Sequence, residues 1–226
     1  MGNFDVGQFV LYMVALVFSL SAHEAAHAWM SDRFGDDLAR LQGRITLNPA
    51  SHVDPVGTLL FPALAFITGA PLLGWARPTP VNPARWRNPR IANIWVSAAG
   101  VIVNSIIAII AGITIRALYS GGLIDAGQGL FPATTDSAFA AGAVKLLQVL
   151  FTLNVALAIF NLLPIPPLDG SKILGSLLPA SFESAFASLE RFGFMLLFIA
   201  VFTGVLGGIF RFVMPLAWGA VFLGAS

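Results

Sequence analysis

The segment VGQFVLYMVALVFSLSAHEAAHAWMS, residues 6–31, decides how this chain is to be read. Residues 6–23 contain no Asp, Glu, Lys or Arg. A bilayer core needs about 20 apolar residues for a crossing helix. The segment therefore crosses only if its helix runs on through His23 and Glu24 to about Ser31. Within it, His23-Glu24-Ala25-Ala26-His27 has the spacing H-E-x-x-H. Four residues advance a helix by about 400°, so the two imidazoles share one face, about 6 Å apart along the axis. That spacing suits two ligands on one zinc ion. Glu24 is turned aside by about 100°, beside a metal rather than on it, where it can accept a proton from water. An acid at the centre of a spanning helix costs about 2.5–3.5 kcal/mol on the insertion scale. Two of the chain's three histidines stand here as well. Groups this expensive in this setting read as a metal site.

Composition agrees with a membrane setting. Of 226 residues, 57% are hydrophobic and 10% charged, against roughly 45–50% and about 25% in an ordinary globular domain. So few charges do not cover a soluble surface, and the same arithmetic excludes disorder, collagen and coiled coil. The absence of cysteine excludes disulfide scaffolds and thiolate metal sites. A net charge of +1 gives no basic face for nucleic acid. The charge-free stretches are 6–23, 55–76, 91–115, 146–168, 192–210 and 212–226. Ahead of Val10 stands Asp5 but no Lys or Arg, so the first stretch reads as a retained helix rather than a signal peptide. The stretch 192–210 is adequate for a span, and 212–226, with Pro215, reads as a short or interfacial segment. The expected fold is an all-α polytopic membrane protein of about five to six membrane segments, with a re-entrant or β-strand-like loop between the first and the next core helix.

Zinc needs a third protein ligand and an open position for water. His52 is the remaining histidine. Among the acids, Asp169 stands out because it directly follows the stretch 146–168, in NLLPIPPLDG at 161–170. Its prolines cannot continue a helix, and unwound backbone at membrane depth is tolerated only inside protein or along a wet cavity. Alone, Asp169-Gly170 reads as a surface turn. Together with H-E-x-x-H, it makes the sequence resemble the site-2 protease family of intramembrane zinc metalloproteases. That family shows H-E-x-x-H in one transmembrane helix and an N-x-x-P-x-P-x-L-D-G-like segment in a later one. GRITLNP (43–49), HVDPVG (52–57) and GWARPTPVNP (74–83) are similar to its compact prokaryotic type without PDZ or CBS domain. AGVIVN (99–104) departs from it, since Pro commonly follows the Gly in relatives.

The resemblance implies one zinc per chain on His23, His27 and Asp169, with Glu24 as general base and Asn161 holding the substrate or the developing oxyanion. It implies one intramembrane metalloprotease domain over 1–226, with a zinc-binding core at about 6–175 and C-terminal membrane segments at about 181–226. The implied partners are a transmembrane protein or peptide substrate and the lipid bilayer. Asn104 reads as an interhelical contact and His52 as a solvated loop residue. A metal transporter is a competing reading, but transporters use several ionisable groups and repeated, broken helices. A non-catalytic scaffold for membrane helices is another, and it has no need of Glu24.

Seven of the twelve Lys and Arg residues are Arg33, Arg40, Arg44, Arg77, Arg85, Arg87 and Arg90. Residues 117–144 have none and carry Asp125 and Asp136. The positive-inside rule then places 32–54 and 77–90 in the cytoplasm, and H-E-x-x-H toward that face. For both motifs to meet at one depth, 55–76 must enter and return on the cytoplasmic side, bending near Pro62 or at 69–71. Residues 44–47 alternate charged and apolar side chains, which predicts an edge strand for pairing with substrate.

Overall fold

In the computed structural model, residues 5–69, 74–126, 133–134 and 138–223 are described. The first helix, α1 (Val6–Arg33), runs through the H-E-x-x-H pattern without a break. Asp5 caps it by accepting from Gln8 N at 3.0 Å, and Gly35, at φ 108°, turns the chain away beyond its end. A one-turn helix α2 (Leu38–Leu41) follows. Residues 44–47 do not form the expected strand: the chain bends at Ile45 and Thr46. The reason is local. The Arg44 side chain is buried, and the Thr46 carbonyl is occupied by His52 Nε2 at 2.8 Å.

Helix continues from Pro55 to Thr68, as a π-helical stretch Pro55–Leu60 and then α3 (Phe61–Thr68). Pro62 follows the π-helical stretch directly, at the second residue of α3, and the helix runs on past it. The helix stops instead at Gly69, whose φ of 70° is a left-handed cap. Ala70 and Pro71, the rest of the expected bend, lie outside the described residues. The chain then returns to its own start: Trp75 N donates to the Gly57 carbonyl at 3.2 Å, and Thr58 Oγ1 to the Trp75 carbonyl at 2.8 Å.

Two long helices complete the core, α4 (Pro89–Ser120) and α5 (Ala138–Leu162). Asn88 caps α4, with Pro89 in its first turn. Against α1 and α5, α4 buries Ala92, Ala99, Gly100, Ala108, Ala111 and Gly112, small residues that let helices approach closely. Between α4 and α5, the pair β1 (Asp125–Ala126) and β2 (Ala133–Thr134) is the described β structure. One apolar cluster joins Ile115, Phe151, Trp218 and Val221; a second joins Ala15, Leu16, Val149 and Leu153.

After α5 come α6 (Asp169–Leu177), α7 (Glu183–Arg191), α8 (Gly193–Phe202) and α9 (Val205–Phe222). The expectation that 192–210 is one span is corrected here. Gly204, at φ 78°, divides it, and the 10 residues of α8 reach only about 15 Å. Arg211 and Pro215 instead lie within α9. Among the described residues, α1, α4, α5 and α9 are long and apolar enough to cross a membrane, and Pro55–Thr68 and Gly193–Phe202 are shorter apolar helices.

Candidate metal centre

His23 and His27 project from α1 on one face, as the four-residue spacing requires, and both are buried. Their Nε2 atoms lie 2.9 Å apart. Asp169, the first residue of α6, places Oδ2 3.3 Å from His23 Nε2 and 3.2 Å from His27 Nε2. Residues 163–168 make this meeting possible by breaking the helix after Leu162. Gly170 then packs against the Leu162 and Leu163 carbonyls so closely that a Cβ would collide with both. From the far side, Arg90 Nε donates to the Ser176 carbonyl at 2.6 Å and Asn93 Nδ2 to Ser176 Oγ at 2.8 Å, tying α6 to the start of α4. Glu24 offers an oxygen within 4.8 Å of a nitrogen on each imidazole.

Hydrogen bonding fixes the protons. His27 Nδ1 lies 2.6 Å from the Val96 carbonyl, which can only accept, so that nitrogen bears the proton. His23 is fixed through a longer chain. Asn154 Nδ2 donates to the Leu150 carbonyl and to Ser19 Oγ, both at 2.8 Å. Its Oδ1 therefore faces Asn104 and accepts from Asn104 Nδ2 at 2.7 Å. Asn104 Oδ1 is left to accept from His23 Nδ1 at 2.6 Å. Ser19, Asn104 and Asn154 are all fully buried. With their Nδ1 protons turned outward, both imidazoles point Nε2 toward each other and toward Asp169 Oδ2. With Nε2 unprotonated on both rings these three atoms are converging acceptors, which a cation among them would hold together. Two imidazoles and a carboxylate are also a zinc donor set, so these residues fit zinc.

Gly100 is the contact that admits His23. A Cβ there would fall on the imidazole ring. Gly100→Ala is expected to displace the ring, costing about 1–3 kcal/mol as overpacking does and weakening metal binding; thermal unfolding with and without zinc checks both.

Asn161, an expected site residue, and His52, read as a solvated loop residue, each have partners of their own. Asn161 Nδ2 donates to the Leu157 carbonyl of its own helix at 3.0 Å. His52 is buried rather than solvated, because residues 46 and 77 close around it: its Nε2 bonds the Thr46 carbonyl and its own carbonyl accepts from Arg77 N at 2.8 Å. Burial pushes the imidazole below its ordinary range. Sequence reasoning missed the link from Asn104 to His23 and passed over Asn154, Gly100 and Thr79. Asn104 and Asn154 had one visible signal, since buried amides in otherwise apolar spans need specific partners.

Crossing-length apolar helices around a buried cluster, two imidazoles on α1 and a carboxylate at the start of α6, have the make-up of a membrane metalloenzyme. The chain belongs to peptidase family M50, whose model matches residues 11–203, and it is a zinc metalloprotease. It is 37% identical over 195 residues to "Putative zinc metalloprotease YwhC" of Bacillus subtilis, covering 86% of this chain and 81% of that one. It is 30% identical over 201 residues to "Putative zinc metalloprotease Rip2" of Mycolicibacterium smegmatis, covering 89% of this chain and 70% of the relative. No solved structure matches it.

Proposed function

We propose that this protease hydrolyses peptide bonds in or near transmembrane segments of membrane-protein substrates, the chemistry of regulated intramembrane proteolysis. The observation that carries the reading is the convergence of His23 Nε2, His27 Nε2 and Asp169 Oδ2 with both imidazole protons turned outward. These three residues hold one zinc, which supplies Lewis-acid chemistry: it lowers the pKa of water toward about 7 and polarises a carbonyl. Glu24 accepts the proton of the attacking water and returns it to the leaving amine. Asn161 donates to the developing oxyanion once its side chain leaves the Leu157 carbonyl, a contact worth about 3–4 kcal/mol. The test is cleavage of a single-span substrate in liposomes together with metal analysis. Cleavage should stop with a chelator and return with zinc; undiminished cleavage by the metal-free protein would overturn the reading.

The protein sits in the cell membrane with this centre toward the cytoplasm, and Pro55–Thr68 dips in from that face and returns. A cysteine placed at exposed Ala84 should then resist an impermeant reagent added outside intact cells. A cysteine at Gln128, which lies outside the described residues, should react. The native chain has no cysteine to interfere, and labelling at position 84 would end this topology.

A further inference from the structure

Residues 75–80 form a strap that is held at several points and ends against Glu24. Trp75 is tied to Gly57 and Thr58, and Arg77 N to the His52 carbonyl. Arg44 reaches beneath and donates from Nη2 to the carbonyls of Arg77 at 2.6 Å and Pro78 at 2.8 Å. Its guanidinium is buried, and the nearby Glu24 carboxylate works against the lowering of its pKa by burial. At the end of the strap, Thr79 meets Glu24 twice. Its N–H donates to Glu24 Oε2 at 2.8 Å, and its hydroxyl to the Glu24 main-chain carbonyl at 2.9 Å.

We propose that Thr79, latched by Arg44, is a positioning residue for Glu24. Its N–H holds one carboxylate oxygen in place so that the other points steadily at the proton to be accepted. A two-point contact on one residue, from a segment with its own anchor, fixes the side chain's direction rather than merely burying it. A single bond from a surface loop would leave that carboxylate free to rotate. The role rests on Glu24 being the general base, but the clamp itself does not.

Hydrogen exchange reads the clamp directly, without turnover. Pro78 and Pro80 have no amide, so exchange from 77–80 reports only Arg77 and Thr79. In Glu24→Ala, Thr79 should lose protection while Arg77, bonded to His52, keeps it. In Arg44→Met, Thr79 should again exchange faster. Kinetics read the role. Thr79→Pro deletes both donors, N–H and hydroxyl, in a segment already flanked by prolines, and it should lower kcat at least about tenfold, as loss of the charged bond to Oε2 alone would. KM and zinc content should stay as they are, because substrate and metal contacts remain. Thr79→Val, which keeps the N–H, should retain most of kcat. Unchanged Thr79 exchange in Glu24→Ala would overturn the clamp. Equal or faster cleavage by Thr79→Pro would overturn its positioning role and make the strap a plug. Turnover by Glu24→Gln would overturn the base assignment, and with it the role, while exchange still reported the clamp.

Discussion

Glu24→Gln is expected to keep its zinc and lose about 10²–10⁴-fold in kcat, the range that a positioned general base contributes. The amide has the size of the carboxylate and leaves His23, His27 and Asp169 untouched, so metal binding has no reason to fall. Its oxygen also still accepts from Thr79 N, so the side chain stays where the carboxylate was. What disappears is the capacity to take a proton. His23→Ala contrasts with this variant in a useful way, because it removes a donor atom and should lose zinc and cleavage together. Zinc content by elemental analysis and single-turnover cleavage of a membrane substrate separate the two. Wild-type turnover by Glu24→Gln would end the assigned mechanism.

That contrast also marks how far the sequence alone was legible. Pattern alone predicted α1 through residue 31, because H-E-x-x-H makes sense in a membrane only on a continuing helix. It also predicted that the helix could not continue through Pro164, Pro166 and Pro167, and α5 ends just before them, at Leu162. The meeting of Asp169 with α1 was expected from family resemblance rather than from spacing, and the distances agree with it. Sequence failed where tertiary contacts override local pattern. The alternation at 44–47 resembles a strand, but burial of Arg44 beneath the strap bends the segment. The stretch 192–210 lacks charges, but charge does not stop a helix as the left-handed turn at Gly204 does. Arg211, read as a boundary, is carried inside α9, where its exposed side chain needs no break in the backbone. Partners across helices, such as Asn154 for Asn104, leave no trace in a one-dimensional pattern. Nothing in the spacing of positions 19, 23, 104 and 154 says that they form one circuit.

That circuit gives the second large effect. Asn104→Leu is expected to weaken zinc binding by about 10–100-fold, the usual consequence of losing the partner of a ligating histidine. With Asn104 gone, His23 Nδ1–H has no acceptor in a buried site, and Asn154 Oδ1 loses its donor. Each orphaned group costs about 1–3 kcal/mol. The imidazole then gains by moving its proton to Nε2, where Asp169 Oδ2 stands 3.3 Å away to receive it. That proton occupies the lone pair a metal needs. Asn104→Asp separates this effect from simple loss of packing. A carboxylate still accepts from Nδ1–H but cannot donate to Asn154, so stability should fall while zinc affinity stays closer to the native value. Asn154→Leu acts from the opposite end. It frees the Asn104 amide to turn its Nδ2 toward His23, which favours the wrong tautomer and should weaken zinc without touching any ligand. Competition against a chromophoric chelator in detergent gives the affinities, and the visible spectrum of the cobalt-substituted protein reports the ligand field. If Asn104→Leu and Asn154→Leu bind zinc as the native chain does, the circuit serves packing alone and the tautomer of His23 is set by the metal itself.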